Sequence, residues 1–225
     1  VLHRYNLSKG ELDMRKGISF LLIMALVLTS FTAAFAAEAG APADVKDTRY
    51  EAAVSALMEK GIVSGYPDGS FRPEWTISRA EASIIAVKAM APSEEALKEA
   101  AKSSFPDLTG YDWAAKYINY AAAKNVISGY PNGTFDPAGQ VTYAELASML
   151  VRALGYKAED LTGVWPDNFV TKAATLGIFT DIDHQVNNVN ASALRGHVAL
   201  MTYRVADDIT EANKPDGATD PEEDS

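Results

Sequence analysis

The sequence contains no cysteine. That excludes a disulfide framework, a thiolate nucleophile and a thiolate metal site. Histidine is nearly as scarce. His3, His184 and His197 are too scattered for a His-based metal site, and no metal or cofactor is expected. Long apolar runs are missing too. The strongly apolar stretch Ile18 to Leu28 has 11 residues, short of the ~20 needed to cross a bilayer. Basic residues are outnumbered, 20 Lys and Arg against 30 Asp and Glu, and no basic stripe invites nucleic acid. The imbalance is concentrated in Asp207 to Ser225, where eight acids face Lys214 alone. There is no nucleophile elbow, zinc motif or phosphate-binding glycine loop. A glycosidase pair needs one acid buried and raised in pKa, and the acids here fall in caps, turns and the tail. A calcium loop needs four or five oxygen ligands at set offsets, and Asp68 and Asn132 stand nearly alone in theirs. A non-enzymatic role is expected.

What is present is repetition. Val63-Ser64-Gly65-Tyr66-Pro67-Asp68-Gly69-Ser70-Phe71-Arg72-Pro73 is followed by Ile77-Ser78-Arg79-Ala80-Glu81. Ile127-Ser128-Gly129-Tyr130-Pro131-Asn132-Gly133-Thr134-Phe135-Asp136-Pro137 is followed by Val141-Thr142-Tyr143-Ala144-Glu145. Gly65 and Gly129 are 64 residues apart, as are Glu81 and Glu145. A fainter third copy joins Leu176-Gly177-Ile178-Phe179 to Ala193-Leu194-Arg195-Gly196-His197. Gly61 to Arg79, Asn125 to Tyr143 and Gly177 to Arg195 each span 18 residues. A fixed period signals repeated supersecondary units.

In chain order, Met14-Arg15-Lys16, the short apolar centre and Ala34-Phe35-Ala36 read as a secretory signal peptide, 14–36. Residues Val1 to Asp13 read as translated upstream sequence, with Met14 the true start. Repeat 1 spans 44–91, with helices Thr48 to Lys60 and Arg79 to Met90 around a loop in which Phe71 folds back as an apolar plug. Residues 92–104 form a linker with a short helix, Glu94 to Lys102. Repeat 2 spans 105–157, with helices Trp113 to Lys124 and Tyr143 to Leu154. Repeat 3 spans 164–206, with helices Phe169 to Leu176 and Arg195 to Ala206. Its loop, Thr180 to His184, has lost the Tyr-Pro-Asp-Gly turn. Residues 207–225 are an acidic tail expected to be disordered, so their deletion should leave the fold intact. The class is mainly α, and helix–loop–helix units of this size must pack on each other.

Ser78 with Glu81 and Thr142 with Glu145 are capping boxes, and each cap stabilises by ~1 kcal/mol. Arg79 has no such explanation. At the first helical position it opposes the helix dipole by ~0.3–1 kcal/mol. Arg195 takes the same place. Two readings stand: an anion site beside unpaired helix N–H groups, or a salt bridge to an Asp of a neighbouring repeat. On the first, removing Arg79 leaves stability equal or slightly raised. Trp75 is either a stacking platform for a sugar or a partly buried plug.

These motifs resemble the S-layer homology (SLH) domain, over roughly Asp44 to Ala206. The Phe105-Pro106-Asp107 and Trp113-Ala114 opening of repeat 2 fits as well. The resemblance implies three repeats in a pseudo-threefold, mainly helical bundle with grooves between them. It implies a secreted protein held at the bacterial cell wall or S-layer by pyruvylated secondary cell-wall polysaccharide, with no membrane span once the signal is cleaved. The alternative is a structural or adaptor subunit that binds other surface-layer proteins. The family's binding arginine falls on Arg79 and Arg195, and its turn residues on Asp68, Gly69, Asn132 and Gly133. Repeat 2 departs with Tyr143 in the arginine's place. Repeat 3 departs with Leu194 for the capping hydroxyl and His197 for the glutamate. One good groove is expected at Arg79, a second at Arg195 and a silent one at Tyr143.

Overall fold

Each apolar stripe read from the sequence becomes a helix packed on its neighbours. The computed structural model describes residues 41–100, 105–182 and 186–215. The expected signal peptide, the residues before it, positions 101–104, His184 and the end of the tail from 216 lie outside the described residues. The helices are α1 (Glu51–Glu59), α2 (Arg79–Ala89), α3 (Glu94–Glu99), α4 (Asp112–Ala123), α5 (Tyr143–Ala153), α6 (Asp167–Thr175), α7 (Arg195–Tyr203) and α8 (Ala206–Ala212). Among the described residues, strand pairing is confined to isolated bridges.

Helix ends follow local chemistry. Gly61, Asn125 and Gly177, just past α1, α4 and α6, have φ of +68°, +58° and +73°. This is the left-handed position that ends a helix and that glycine or asparagine adopts at least cost. Ser78 caps α2 and Thr142 caps α5, each in a complete capping box with its glutamate. Phe71 and Phe135 are buried plugs, as the loop sequence suggested for Phe71. Their backbone N–H groups donate to the carboxylates of Asp44 and Asp107, which stitch each loop to the start of its own repeat.

The three second helices, α2, α5 and α7, meet at the centre. Outside them α2 packs on α4, α5 on α6 and α7 on α1, so each repeat leans on the next and the third returns to the first. The backbone closes the same ring. Bridges Ser78–Gln140, Thr142–Ser192 and Thr76–Leu194 join the segments that enter the central helices. Arg79 and Ala80 N–H donate to Gly139 and Pro137 carbonyls at 2.8 and 3.2 Å. Tyr143 and Ala144 donate to Ala191 and Val189 at 3.2 and 2.8 Å, and Arg195 and Gly196 to Trp75 and Pro73 at 2.7 and 2.8 Å. Donors that a helix start leaves orphaned are thus spent between repeats.

The expected disordered tail requires correction. The last central helix ends at Tyr203, not Ala206, and α8 follows. Ile209 is fully buried, and α8 packs against α2, α5 and α7 together. Thr210 Oγ1 donates to the Ala89 carbonyl and Asn213 Nδ2 to that of Ala153. Both carbonyls lie at helix C-termini, where acceptors lack partners within the helix. Deletion from Asp207 would remove this plug, so it cannot leave the fold untouched.

Candidate functional site

The cyclic packing sends the first side chain of each central helix into the following repeat. Arg79, at the start of α2, lies across the loop of repeat 2. Its Nε donates to the Phe135 carbonyl at 2.9 Å and its Nη1 to Glu145 Oε1 at 2.5 Å. The guanidinium lies 4.8 Å from the Tyr130 ring centre and 4.7 Å from that of Phe135. Among the described residues its Nη2 has no hydrogen-bond partner. Arg195, at the start of α7, repeats the arrangement over repeat 1. Its Nη2 donates to the Ser64 carbonyl at 2.7 Å, and its Nη1 is 3.6 Å from Glu81 Oε1. It lies over Tyr66 and Phe71, and its buried Nε has no partner.

Each arginine heads a groove. The one at Arg79 encloses about 440 Å³, with Gly129-Tyr130-Pro131 on one side, Glu145, Ser148 and Met149 of α5 on another, and the half-exposed Trp165 at its edge. Trp165 Nε1 donates to Ser148 Oγ at 3.0 Å, which fixes the indole. The groove at Arg195 encloses about 350 Å³ between Gly65-Tyr66-Pro67, Glu81, Ile84 and Ile85 of α2, and the half-exposed Trp113. Burial pushes the Tyr130 hydroxyl above its ordinary value, against the pull of Arg79. An aromatic face beside a cation with a spare donor suits a hydroxylated ring that carries a carboxylate.

Tyr143 starts α5 and lies over repeat 3, where His197 holds the glutamate's place. The hydroxyl sits 2.7 Å from His197 Nδ1 and accepts from Leu194 N–H at 3.4 Å. In the other repeats the capping glutamate accepts that N–H, from Ser78 and Thr142. Tyr143 therefore replaces an arginine and the glutamate's cap acceptor at once, while the other half of the box, the Ser78 and Thr142 hydroxyls that accept from Glu81 and Glu145 N–H, has no counterpart in the Leu194 side chain. Departures that look separate along the chain form one contact.

Several expectations need correction. The N–H groups beside Arg79 and Arg195 are taken by neighbouring carbonyls, so no bare helix N-terminus awaits an anion. The arginines' partners are the capping glutamates of the next repeat, where the bridge reading placed an Asp. Asp68, Gly69, Asn132 and Gly133 shape their turns outside the grooves. Asp68 and Asn132 accept from the N–H and hydroxyl of Ser70 and Thr134, and Gly69 and Gly133 have φ of +82° and +83°. Trp75 is not a plug; it is 58% exposed, with the Arg72 guanidinium 4.5 Å over its ring, and it lies outside the linings of the two grooves described above. Trp113, Trp165, Tyr66, Tyr130 and Arg152 are groove residues that motif reading missed. The recurrence of the tyrosines at the repeat period was the available signal.

A model of the S-layer homology domain matches residues 43–83 and 104–147. These two segments are S-layer homology (SLH) domains. It is 35% identical over 190 residues to a middle cell wall protein of Brevibacillus brevis, covering 84% of this SLH chain and 18% of the relative. It is 36% identical over 171 residues to a surface layer protein of Brevibacillus choshinensis, 76% of this chain and 15% of the relative. It is 30% identical over 155 residues to a cellulosome-anchoring protein of Acetivibrio thermocellus, 64% and 35% respectively. The SLH chain thus spans only a minor part of these relatives' lengths.

Proposed function

We propose that this chain holds a secreted protein to the bacterial cell wall by binding pyruvylated secondary cell-wall polysaccharide, without enzymatic action. The observation that carries the reading is the duplication of one groove. Arg79 and Arg195 reach from different repeats over equivalent Tyr-Pro loops, at Tyr130 and Tyr66, and equivalent capping glutamates, Glu145 and Glu81, each beside an exposed tryptophan. A pyruvyl ketal offers a carboxylate to the spare guanidinium donor, and its sugar offers a face to the indole. Glu81 and Glu145 serve as cap acceptors and arginine partners, a binding-site use of acids. The names of the relatives support a cell-wall or surface-layer location.

The third position favours no carboxylate, because Tyr143 and His197 replace the ion pair. That difference supports a second reading, in which one face meets other surface-layer proteins. Sedimentation of the protein with purified wall separates the two. Binding that disappears when the ketals are hydrolysed supports the polysaccharide reading. Binding that survives hydrolysis overturns it and favours a protein partner.

A further inference from the structure

Lys88, Arg152 and Arg204 occupy one place in the three repeats, equally far along from Arg79, Tyr143 and Arg195. Two of them are tied down. Lys88 Nζ donates to the Gly61 carbonyl at 2.9 Å. Arg204 forks onto the Asp181 carboxylate, with both bonds at 2.6 Å. Among the described residues, Arg152 has neither a hydrogen bond nor a carboxylate. It is half-buried, with its guanidinium 4.7 Å from the Phe169 ring centre. Burial pushes it below the ordinary arginine value. A half-buried guanidinium held by an aromatic face alone keeps its N–H donors for an anion from outside the chain.

Arg152 also stands at a junction. The groove at Arg79 and a second cavity of about 600 Å³ meet along Val126, Ile127, Ser128 and Arg152. The second cavity is lined by Lys124 and Lys157 as well, against the acid Glu159, and Ala212 and Asn213 at the end of α8 supply one wall. Among the described residues neither lysine side chain has a carboxylate partner; Lys124 lies 5.7 Å from the Tyr120 ring centre.

We infer that this cavity is a second anion subsite, in which Arg152, Lys124 and Lys157 take a carboxylate or phosphate on a neighbouring unit of the polymer held beside Arg79. The inference rests on the polysaccharide reading above. The groove at Arg79 then takes a longer stretch of polymer than the groove at Arg195, whose equivalent cation is spent on Gly61.

The test is calorimetry on the full chain with two probes, a pyruvylated monosaccharide and wall oligosaccharides of two or more repeating units. Arg152→Gln should weaken oligosaccharide binding about tenfold more than monosaccharide binding, the effect of losing one charge-assisted contact. Lys157→Gln should act in the same direction, and Arg152→Lys should keep much of the preference, which separates charge from packing on Phe169. Oligosaccharides stripped of ketals beyond the first unit, or of phosphate, identify the anion by which removal abolishes the Arg152 effect. Equal losses for both probes, or an Arg152 effect that survives both removals, overturn the subsite while leaving the grooves standing. If the wild-type chain binds neither probe, the polysaccharide reading falls and takes the subsite with it.

Discussion

Arg79→Ala tests what holds the ring together. The guanidinium is buried, with its side chain 5% exposed and that of Glu145 15%. Removing one member of a buried ion pair costs about 3–5 kcal/mol, because the other charge is left uncompensated. The Phe135 carbonyl loses its donor in the same step. Relief of the cation from the helix dipole returns only ~0.3–1 kcal/mol. The loss dominates, which reverses the expectation that this variant would be as stable as the parent. At about 2–4 °C per kcal/mol for a domain of this size, melting should fall by roughly 6–20 °C. The double variant Arg79→Tyr/Glu145→His copies the Tyr143–His197 pair into the groove at Arg79. It should recover at least half of that loss and still lack groove binding to pyruvylated polymer. Thermal unfolding by circular dichroism and calorimetric titration supply the two readings. A single variant that melts with the wild type would refute the buried-pair argument. A double variant no more stable than the worse single would refute the claimed equivalence of the two pairs.

Truncation after Val205 should lower the urea midpoint clearly, since it removes the buried Ile209 and the donors to Ala89 and Ala153, whereas truncation after Pro215 should not. Gly196→Ala should destabilise by about 1–3 kcal/mol, because an added Cβ would lie 2.6 Å from the Tyr50 ring and 2.9 Å from Pro73; chemical denaturation reads this directly. Acid should unfold the protein partly through Asp107. Burial raises its carboxyl pKa, but N–H groups of Phe135 and Asp136 and the charge of Arg79 outweigh burial and hold it below the ordinary value. A depressed carboxyl contributes stability fully above its unfolded value of about 3.9 and loses it as pH falls through the lower folded one. The urea midpoint of Asp107→Asn should therefore fall less than that of the wild type on acidification below about pH 4, and parallel curves would remove Asp107 from the account.

The chain made its local structure legible and hid its pairings. Ser78, Thr142 and their glutamates mark two helix starts because a cap needs particular atoms three residues apart. The helix stops at Gly61 and Gly177 are legible for the same reason. The partner of Arg79 is not, because Glu145 lies 66 positions away and belongs to another repeat. Tyr143 and His197, 54 positions apart, look like two unrelated losses until the ring brings them into contact. The oddity of arginine at a helix start was visible; its remedy was not, since neighbouring carbonyls took up the donors thought to be unpaired. The tail misled through average composition. Its acids outnumber its bases eight to one, yet Ile209, Thr210 and Asn213 are spaced to face one way and suffice to seat a helix.

The ring of backbone bonds also sets a limit on growth. In an open solenoid each added unit offers the same edge to the next, so length is free to vary. Here the third unit hands its first-turn donors back to Trp75 and Pro73 of the first, and among the described residues the ring leaves no edge for a fourth. A chain that needs greater avidity must therefore string separate trimers of repeats along a tether, where effective concentration and linker length govern the gain. The same closure makes the join between chain ends arbitrary. A circular permutant opened in the linker between repeats 1 and 2 would keep every contact of the ring.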